Sequence, residues 1–386
     1  MKITIDHDES VPLYVQLFNQ LSHLILSGEW KPGSRLPSEA EWQRQLKISR
    51  STIRQALDKV EAQGLVVRVP GRGTFVAQSP PAATPASART SRLIGYVTCD
   101  SFRYLQSQLV SGAESTISAE EYRVIFCSSN RDIDEENKLL DRLVLEDKVE
   151  GILIWPILHD DPSRRLFQLT HQHRIPMVLV DRTFAGLACD CVTSDNHGGA
   201  RAVVEHLIEL GHRRIAFLSR PVLQLLTISE RLRGYQDALQ DAGIAPLAPC
   251  LVGAAGQEME IIFALQNYGE PASQEIEQIV QYLQSPSRPT AIFAMNDMMA
   301  MQVIKAAKSI GLHVPDDLSL AGFDDESVVN TLLEAPLTTV AQDGFALGKR
   351  AAELLIERIA GYDGPPRREI LPTQLRVRAS TAPPAA

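Results

Sequence analysis

Apolar residues near the start of the chain recur at helical spacing. Tyr14, Leu17, Phe18, Leu21 and Ile25 lie at positions i, i+3, i+4, i+7 and i+11, which places them on one face of a helix. The KPGS sequence that follows is typical of a turn. The pattern therefore predicts an amphipathic first helix that packs against further elements.

Two more helices and a hairpin are predicted before residue 78. Ser38 and Glu41 match a capping box that opens a short second helix, and Ser49 can cap a third helix in RSTIRQALDKVEAQG. The buried face of the third helix would consist of Ile53, Ala56, Leu57 and Val60. The runs LVVRV and GTFVA, joined by a Pro-Gly-Arg-Gly turn at 70–73, predict a hairpin. Three helices followed by a hairpin indicate a winged helix-turn-helix, an α+β unit.

From residue 92 onward, short apolar runs alternate with helical patterns. The strand-like runs are LIGYVT, YRVIFCSS, GILIWP, PMVLVD, RIAFLS, TAIFAMN and LSLAGFDD, and the clearest helix between them is GGARAVVEHLIELGH. Repeated βα units with apolar strands predict parallel sheets covered by helices on both faces. The predicted fold class of this part is α/β.

A segment of different composition separates the two parts. Residues 79–90 read SPPAATPASART, which contains no large apolar side chain and cannot build a core. We therefore predict a small domain at 1–78, a linker at 79–91, a large domain at 92–380 and a disordered tail at 381–386.

The charge of the chain is divided between these parts. The 386 residues carry a net charge of −9, which taken alone argues against nucleic acid as a partner. Residues 1–78, however, hold ten Lys and Arg against eight Asp and Glu, and the remainder holds 28 against 39. The acidic total therefore hides a basic small domain.

The remaining composition indicates a protein of the cytoplasm with no cofactor. Five cysteines at irregular spacing do not suggest a disulfide framework, the start MKITIDHDES is not a signal peptide, and no apolar run approaches the ~18–20 residues that span a bilayer. The lone Cys189-Asp-Cys191 and His171-x-His173 pairs are weak metal signals. No catalytic motif occurs, so we do not expect an enzyme.

The start of the third predicted helix carries groups suited to DNA. Hydroxyls, arginines and helix N-terminal N–H groups bind phosphate, and arginines also read guanine edges. The groups in this first turn are Ser49, Arg50, Ser51, Thr52 and Arg54. Arg72 lies at the tip of the hairpin. The alternative is a set of solvated charges on a small helical domain.

The small domain resembles the DNA-binding domain of the GntR family. The motifs PGSRLPSE, SRSTIRQAL, GLV and GRGTFV carry the resemblance, which spans the whole domain. It implies a dimer that binds a short palindrome of double-stranded DNA. The DNA contacts implied by the matched positions are Arg35, Ser49, Arg50, Ser51, Thr52, Arg54, Gly71 and Arg72. This chain has Ala40 where that family often has a basic residue.

Polar and aromatic residues follow the predicted strands of the large domain. Ligands in open α/β folds bind at the carboxyl ends of strands, and these residues are Ser101–Tyr104, Trp155, Asp181–Arg182, Asn296–Asp297 and Asp324–Asp325. Carboxylates, amides and arginines bind hydroxyls, and aromatic rings stack on sugars. Each residue alone could instead cap a helix or belong to the core.

Residues 92–380 resemble the effector domain of the LacI/GalR family, which shares the periplasmic sugar-binding fold. The matches include IPMVLVDR, TSDNHGGARAVVEHLIELGHRRIAFLS, ERLRGYQDALQDAGI and PLTTVAQD. The resemblance implies two lobes, at about 92–182 with 340–371 and about 183–339 with 372–380. The crossings would then lie near Arg182, Thr339 and Pro372. The effector ligands that it implies are Arg231, Asn296, Asp324 and Gln342, with Phe102, Trp155 and Arg182 from the first lobe.

The pairing of these two domains resembles that of arabinose-repressor-type regulators. It implies a homodimeric repressor of carbohydrate-utilisation genes that a small sugar releases from its operator. A nucleoside or purine effector and an activator remain open alternatives. A sugar-binding protein without DNA binding, or an enzyme, fits the basic small domain less well.

Overall fold

The structure is a computed structural model, and it describes most of the chain. The described residues are 3, 13–26, 29–62, 65–69, 72–77, 91–99, 104–157, 164–172, 175–182, 187, 189–223, 225–253, 273–326 and 334–385. Most of the predicted linker therefore lies outside the described residues.

The small domain contains the three helices and the hairpin that the sequence predicts. Its elements are α1 (Leu13–Leu26), α2 (Glu39–Leu46), α3 (Arg50–Ala62), β1 (Val66–Val69) and β2 (Gly73–Val76). The Ser38 hydroxyl accepts a hydrogen bond from the Glu41 N–H, and the Glu41 carboxylate accepts from the Ser38 N–H, so the capping box is confirmed. The strands β1 and β2 are antiparallel.

The three helices of the small domain enclose one core. Leu17, Leu21, Ile53 and Val60 are fully buried, and Trp30 stacks on Trp42 at 6.0 Å between ring centroids. At about 25 cal/mol per Å² of apolar surface removed from water, this burial stabilises the helices against each other. The packing leaves the first turn of α3 exposed to solvent.

The large domain alternates strands and helices. Its described helices are α4 (Tyr104–Ala119), α5 (Ile133–Leu145), α6 (Arg164–Phe167), α7 (Asn196–Glu209), α8 (Leu226–Asp241), α9 (Ser273–Leu283), α10 (Asp297–Ser309) and α11 (Gly344–Ile359). Its described strands are β3 (Leu93–Thr98), β4 (Arg123–Ser128), β5 (Gly151–Trp155), β6 (Met177–Val180), β7 (Asp190–Ser194), β8 (Ile215–Ser219), β9 (Cys250–Leu251), β10 (Ala291–Ala294), β11 (Ser319–Asp324), β12 (Thr338–Ala341), β13 (Arg368–Leu371) and β14 (Gln374–Arg376).

These strands form two sheets of six strands, one in each lobe. The order in lobe 1 is β13-β7-β6-β5-β3-β4, with every pair parallel. The order in lobe 2 is β14-β12-β11-β10-β8-β9, in which only the pairing of β14 with β12 is antiparallel. Strands buried on both faces explain the continuous apolar runs, and the predicted α/β class is confirmed.

The first crossing between the lobes lies later than the sequence suggests. Strand β7 still pairs with β6 in lobe 1, so the chain crosses at Asp195 and not near Arg182. The second crossing follows Ala341 and not Thr339, because Thr339 pairs within the lobe 2 sheet. The third, between β13 and β14, is at Pro372 as predicted.

The end of the chain is bound to lobe 2, and the prediction of a disordered tail from residue 381 is wrong for the residues described. Ala382 N–H donates to Ser319 Oγ at 3.0 Å, and Ala382 O lies 2.9 Å from His212 Nε2. Thr381 Oγ1 lies 3.0 Å from His206 Nε2. Thr381 and Ala382 are thus hydrogen-bonding partners of lobe 2.

Within the described part of the chain, no helix is long and apolar enough to cross a membrane.

The burial of His212 beside the tail predicts a pH dependence. His212 is buried, and burial lowers the pKa of its imidazole. The unfolded chain therefore takes up a proton below about pH 6.5 while the folded state resists it, so this contribution to stability is lost as the pH falls. We expect the melting-temperature advantage of wild type over His212→Gln to shrink between about pH 7.5 and about pH 5.5. An advantage that does not change with pH would contradict this expectation.

Candidate DNA-binding and effector sites

The first turn of α3 is organised by Ser49, the residue that precedes it. Ser49 Oγ accepts from the Thr52 N–H at 3.1 Å and lies 2.7 Å from both the Ser51 Oγ and the Thr52 Oγ1. Ser49 and Ser51 are exposed, and Thr52 is half-buried. Hydroxyls and helix N-terminal N–H groups thus converge on one exposed spot, which is a suitable arrangement for a phosphate.

Two arginines of α3 are held by side chains of α2. Arg54 makes a two-pronged contact with Glu39, with Nε–Oε1 at 3.2 Å and Nη2–Oε2 at 3.0 Å. Arg50 Nε donates to Gln43 Oε1 at 3.1 Å. Both arginines remain exposed, so their other N–H groups face solvent beside the helix start. The sequence reasoning missed Glu39 and Gln43, since they lie on a different helix.

Arg35 links the helices to the wing. Its backbone forms a bridge with Phe75, and a Cβ at Gly73 would lie 3.1 Å from Arg35 Nε. Gly73 has φ of +113°, a value that L side chains rarely adopt. Arg72 is exposed in the turn just before β2, whereas Gly71 lies outside the described residues.

In lobe 2, Arg231 is the centre of the predicted effector site. This residue of α8 is 5% exposed. Its Nη1 donates to Met295 O at 2.6 Å, and its Nε donates to Asn196 Oδ1 at 2.8 Å. The guanidinium carbon lies 3.6 Å from the centroid of the Phe323 ring. Asn196 and the Met295 carbonyl were not predicted as partners.

Asp324 joins two of the predicted ligands. Its Oδ1 accepts from Arg231 Nη2 at 3.3 Å and from Gln342 Nε2 at 2.8 Å. Asp324 ends β11, and Gln342 follows β12, the adjacent parallel strand. The structure therefore brings three of the predicted effector residues into contact at the carboxyl edge of the lobe 2 sheet.

The charge of this group is balanced by nearby carboxylates. Burial lowers the pKa of Arg231, and the negative charges of Asp324 and Asp181 oppose that shift. Asp181 belongs to lobe 1, so the two lobes face each other closely enough to interact at this point. A buried cation with this many acceptors stays protonated and can donate to oxygen atoms of a ligand.

Asn296 precedes α10 and adjoins the Arg231 group through its neighbour Met295. Its Oδ1 accepts from the Met299 N–H at 2.9 Å, so the side chain caps the helix. Capping was the alternative reading of this residue, and it fixes the direction in which the amide points.

Two of the predicted lobe 1 residues form a second group. The Arg182 guanidinium carbon lies 5.4 Å from the Trp155 ring centroid, and its Nη1 donates to Pro156 O at 2.7 Å. Trp155 is buried and ends β5. Phe102, the third lobe 1 candidate, lies outside the described residues.

Some buried polar atoms of these groups have no partner among the described residues. Neither Gln342 Oε1 nor Trp155 Nε1 has a hydrogen-bond partner in the part of the chain described. A buried polar atom without a partner costs about 1–3 kcal/mol. One is an acceptor and the other a donor, and a hydroxyl group can satisfy either.

Two family models match the chain. The model of bacterial regulatory proteins of the gntR family matches residues 13–76, and the model of a periplasmic binding protein-like domain matches residues 204–381. The arabinose metabolism transcriptional repressor of Geobacillus stearothermophilus is 32% identical over 357 residues, which cover 91% of this chain and 92% of that protein. These matches confirm the resemblance predicted for both domains.

Solved structures show the same fold. A LacI family transcriptional regulator from Enterococcus faecium with bound ribose has a TM-score of 0.61 and 24% identity, covering 76% of this chain and 100% of its own. A transcriptional regulator CelR–cellobiose complex has a TM-score of 0.63 and 24% identity. The match covers 86% of this chain and 92% of that chain. The matched proteins are regulators of transcription, which agrees with the expectation that the chain is not an enzyme.

The buried position of Arg231 predicts a large effect on stability. Arg231→Met would remove the guanidinium that lies 3.3 Å from the Asp324 carboxylate, and this should lower the free energy of unfolding by about 3 kcal/mol. The double variant Arg231→Met/Asp324→Asn removes that charge and should recover most of the loss. Urea unfolding followed by circular dichroism measures both. Equal losses in the single and double variants would show that the ion pair is not the cause.

Proposed function

Because the chain belongs to the family of transcriptional repressors that join a GntR-type helix-turn-helix to a periplasmic-binding-protein-like domain, we propose that a small sugar bound between its lobes releases it from operator DNA. The small domain would bind the operator, and the large domain would bind the sugar. Arabinose is the first candidate, since the relative from Geobacillus stearothermophilus is a repressor of arabinose metabolism.

The observation that carries the sugar proposal is the buried group around Arg231. A sugar presents neighbouring hydroxyls that both donate and accept hydrogen bonds. Asp324 accepts, Arg231 donates, and Gln342 has an amide oxygen that no described residue donates to. Trp155 of lobe 1 offers an aromatic ring and an N–H to the other side of such a ligand. The neighbours solved with ribose and with cellobiose support the same class of ligand.

The DNA proposal rests on the exposed first turn of α3. Its hydroxyls and N–H groups suit a phosphate, while Arg50 and Arg54 extend from the same helix face. The partners Gln43 and Glu39 limit the conformations of these arginines before DNA binds, which lowers the entropic cost of ordering them. In a winged helix, such a helix enters the major groove.

We further propose that the protein acts as a homodimer. A single recognition helix reads only a half-site, and two heads related by a twofold axis match a palindrome. Light scattering of the purified protein measures the mass directly, and a monomer both with and without operator DNA would exclude this part of the proposal.

Release by sugar requires that sugar and operator oppose each other. The sugar must favour an arrangement of the two heads that fits the operator less well, and the operator must then weaken sugar binding by the same factor. Fluorescence anisotropy of operator DNA, titrated with protein at several sugar concentrations, measures this coupling. An operator affinity that no sugar or nucleoside changes would contradict release by an effector.

Gln342 provides a direct test of the sugar site. Gln342→Leu keeps the bulk of the side chain but removes both hydrogen-bonding groups, so we expect arabinose binding to weaken about tenfold or more. Isothermal titration calorimetry against a panel of pentoses, hexoses and nucleosides measures the affinity. Lys308→Ala, at an exposed position of α10, is the control and should bind as wild type does. If only a nucleoside binds to wild type, the sugar proposal is wrong.

The arginines of α3 test the DNA site. Arg50→Ala and Arg54→Ala should each weaken operator binding by about 1–3 kcal/mol if they read bases, and should lower the salt slope by about 1 if they bind phosphate. Arg68→Gln is a control in the same domain, because Arg68 is paired with Asp58 and Glu61. Anisotropy titrations at several salt concentrations separate the two roles. Unchanged affinity in both variants would rule out this helix face.

A further inference from the structure

Beside the proposed sugar site lies a buried carboxyl group that the site itself does not use. Asp297 is the first residue of α10 and is fully buried. Its Oδ1 accepts from Thr339 Oγ1 at 2.5 Å, and its Oδ2 accepts from the Glu326 N–H at 2.8 Å. Thr339 lies three residues before Gln342, and Glu326 lies two residues after Asp324. Asp297 therefore bridges the two segments that supply sugar ligands.

The turn that Asp297 holds has an unfavourable backbone. Asp324 has φ of 109° and Asp325 has φ of 53°, both in the region that favours glycine. Non-glycine residues keep such values only where the surroundings impose them. Arg378 donates to Asp325 Oδ1 at 2.7 Å, and Asp297 accepts from the next backbone N–H, that of Glu326. These contacts hold the turn at Asp325 and at the residue that follows it.

Little room is left for Asp297 to move. A Cβ on Gly322 of β11 would lie 2.2 Å from Asp297 Oδ1, so the carboxyl packs directly against the strand backbone. Glycine at 322 permits this close approach. Because the carboxyl is fixed between β11 and β12, the position of the Glu326 N–H is fixed as well.

The same turn reaches lobe 1. Glu326 Oε2 accepts from the backbone N–H of Tyr104, the first residue of α4, at 3.3 Å. A carboxylate at the amino end of a helix is favourable for both partners. The turn thus carries Asp324 toward the ligand site and Glu326 toward the opposite lobe.

We propose that Asp297 is a positioning residue that holds the Asp324–Glu326 turn, so that Asp324 meets Arg231 and Gln342 while Glu326 contacts lobe 1. Asp297 would then act on effector binding and lobe closure through this turn, with no contact to the effector. This inference rests on the proposed function insofar as it concerns sugar affinity. The geometry of the turn itself does not depend on which effector binds.

The surroundings of Asp297 favour a neutral carboxyl. Burial and the nearby charge of Asp324 raise its pKa well above the ordinary value, against the hydrogen bonds from Thr339 and Glu326. Asparagine has the shape of a neutral aspartic acid. Its Oδ1 can accept from the Glu326 N–H while its Nδ2 donates to Thr339 Oγ1, so Asp297→Asn should preserve the bridge. Asp297→Ala removes it.

Hydrogen exchange tests the positioning role without any ligand. We expect Asp297→Ala to exchange faster than wild type in peptides that cover the Asp324–Glu326 turn and the amino end of α4, and Asp297→Asn to keep wild-type protection there. Peptides from the core of lobe 1, such as β5, should exchange alike in all three proteins. Wild-type protection of the turn in Asp297→Ala would overturn the proposal, and so would faster exchange spread evenly over the large domain.

Calorimetry with arabinose tests the functional consequence. Asp297→Ala should bind about 10- to 100-fold more weakly than wild type, since Asp324 loses its fixed position, whereas Asp297→Asn should stay within about threefold. Wild-type affinity in Asp297→Ala would overturn the proposal. Equal weakness of the two variants would also overturn it, because the asparagine then fails to rescue.

A second variant covers the case in which Asp297→Ala does not fold. Thr339→Val removes only the hydroxyl that donates to Asp297, and it should loosen the turn and weaken arabinose binding in the same direction by a smaller factor. Thr116→Val is the matched control, because the Thr116 hydroxyl donates to Gly112 O within α4. The proposal would be overturned if Thr339→Val and Thr116→Val showed the same hydrogen exchange in the turn and the same affinity for arabinose.

The two proposals fail in distinguishable ways. If wild type binds no sugar in the panel while Asp297→Ala still loosens the turn, the sugar assignment is wrong and the positioning role stands. If wild type binds arabinose and Asp297→Ala leaves both the turn and the affinity unchanged, the sugar assignment stands and the positioning role is wrong.

Discussion

A buried guanidinium must find acceptors inside the protein, and Arg231 finds them on three different elements. It donates hydrogen bonds to Asn196 at the start of α7, to the Met295 carbonyl after β10 and to Asp324 at the end of β11. If one of these contacts were not made, part of the buried guanidinium would have lost its water without gaining an acceptor, which is unfavourable. The three contacts together therefore restrict how α8 packs against the sheet. The shape of the lobe 2 site follows from this requirement. Asp297 packs against Gly322 of β11, two residues before Asp324.

The arginines of the small domain are exposed to solvent, in contrast to the buried Arg231. Arg50 and Arg54 are exposed, and their partners Gln43 and Glu39 are exposed or half-buried, so these contacts contribute little to stability. Their effect is on conformation, because a paired side chain samples fewer rotamers. Water surrounds the rest of each guanidinium, and phosphate can replace that water without breaking the core.

The sequence allowed the elements with strong local signals to be predicted. The capping box at Ser38 and the apolar runs of β3 and β5 appear where the patterns place them. Strand β7 was missed because its sequence DCVTS is polar. Such a strand can be buried only when residues distant in the sequence supply partners for its polar groups. Here Asp190 is fully buried between Arg358 and Arg367, which come from residues more than 160 positions later.

Contacts between distant residues also explain the other differences between the predicted and the observed structure. Arg231, Asp324 and Gln342 were expected as effector ligands from a family resemblance, whereas the contact of Arg231 with Asn196 depends on how α7 meets α8. The tail from residue 381 onward was expected to be disordered, yet Thr381 and Ala382 hydrogen-bond to lobe 2. Short-range patterns cannot reveal contacts that exist only once two distant segments have folded.

The positions of the lobe crossings determine which lobe supplies the side chains of the proposed effector site. Arg231, Asn296 and Asp324 belong to lobe 2 alone, and Gln342 follows directly after its strand β12 at the second crossing. The first and third crossings lie side by side, because the Asp195 N–H donates to the carbonyl of Leu371, the residue before Pro372, at 2.8 Å. The contacts of Asp324 with Arg231 and Gln342 are therefore made by lobe 2 and the segment that leaves it, and they need no side chain of lobe 1.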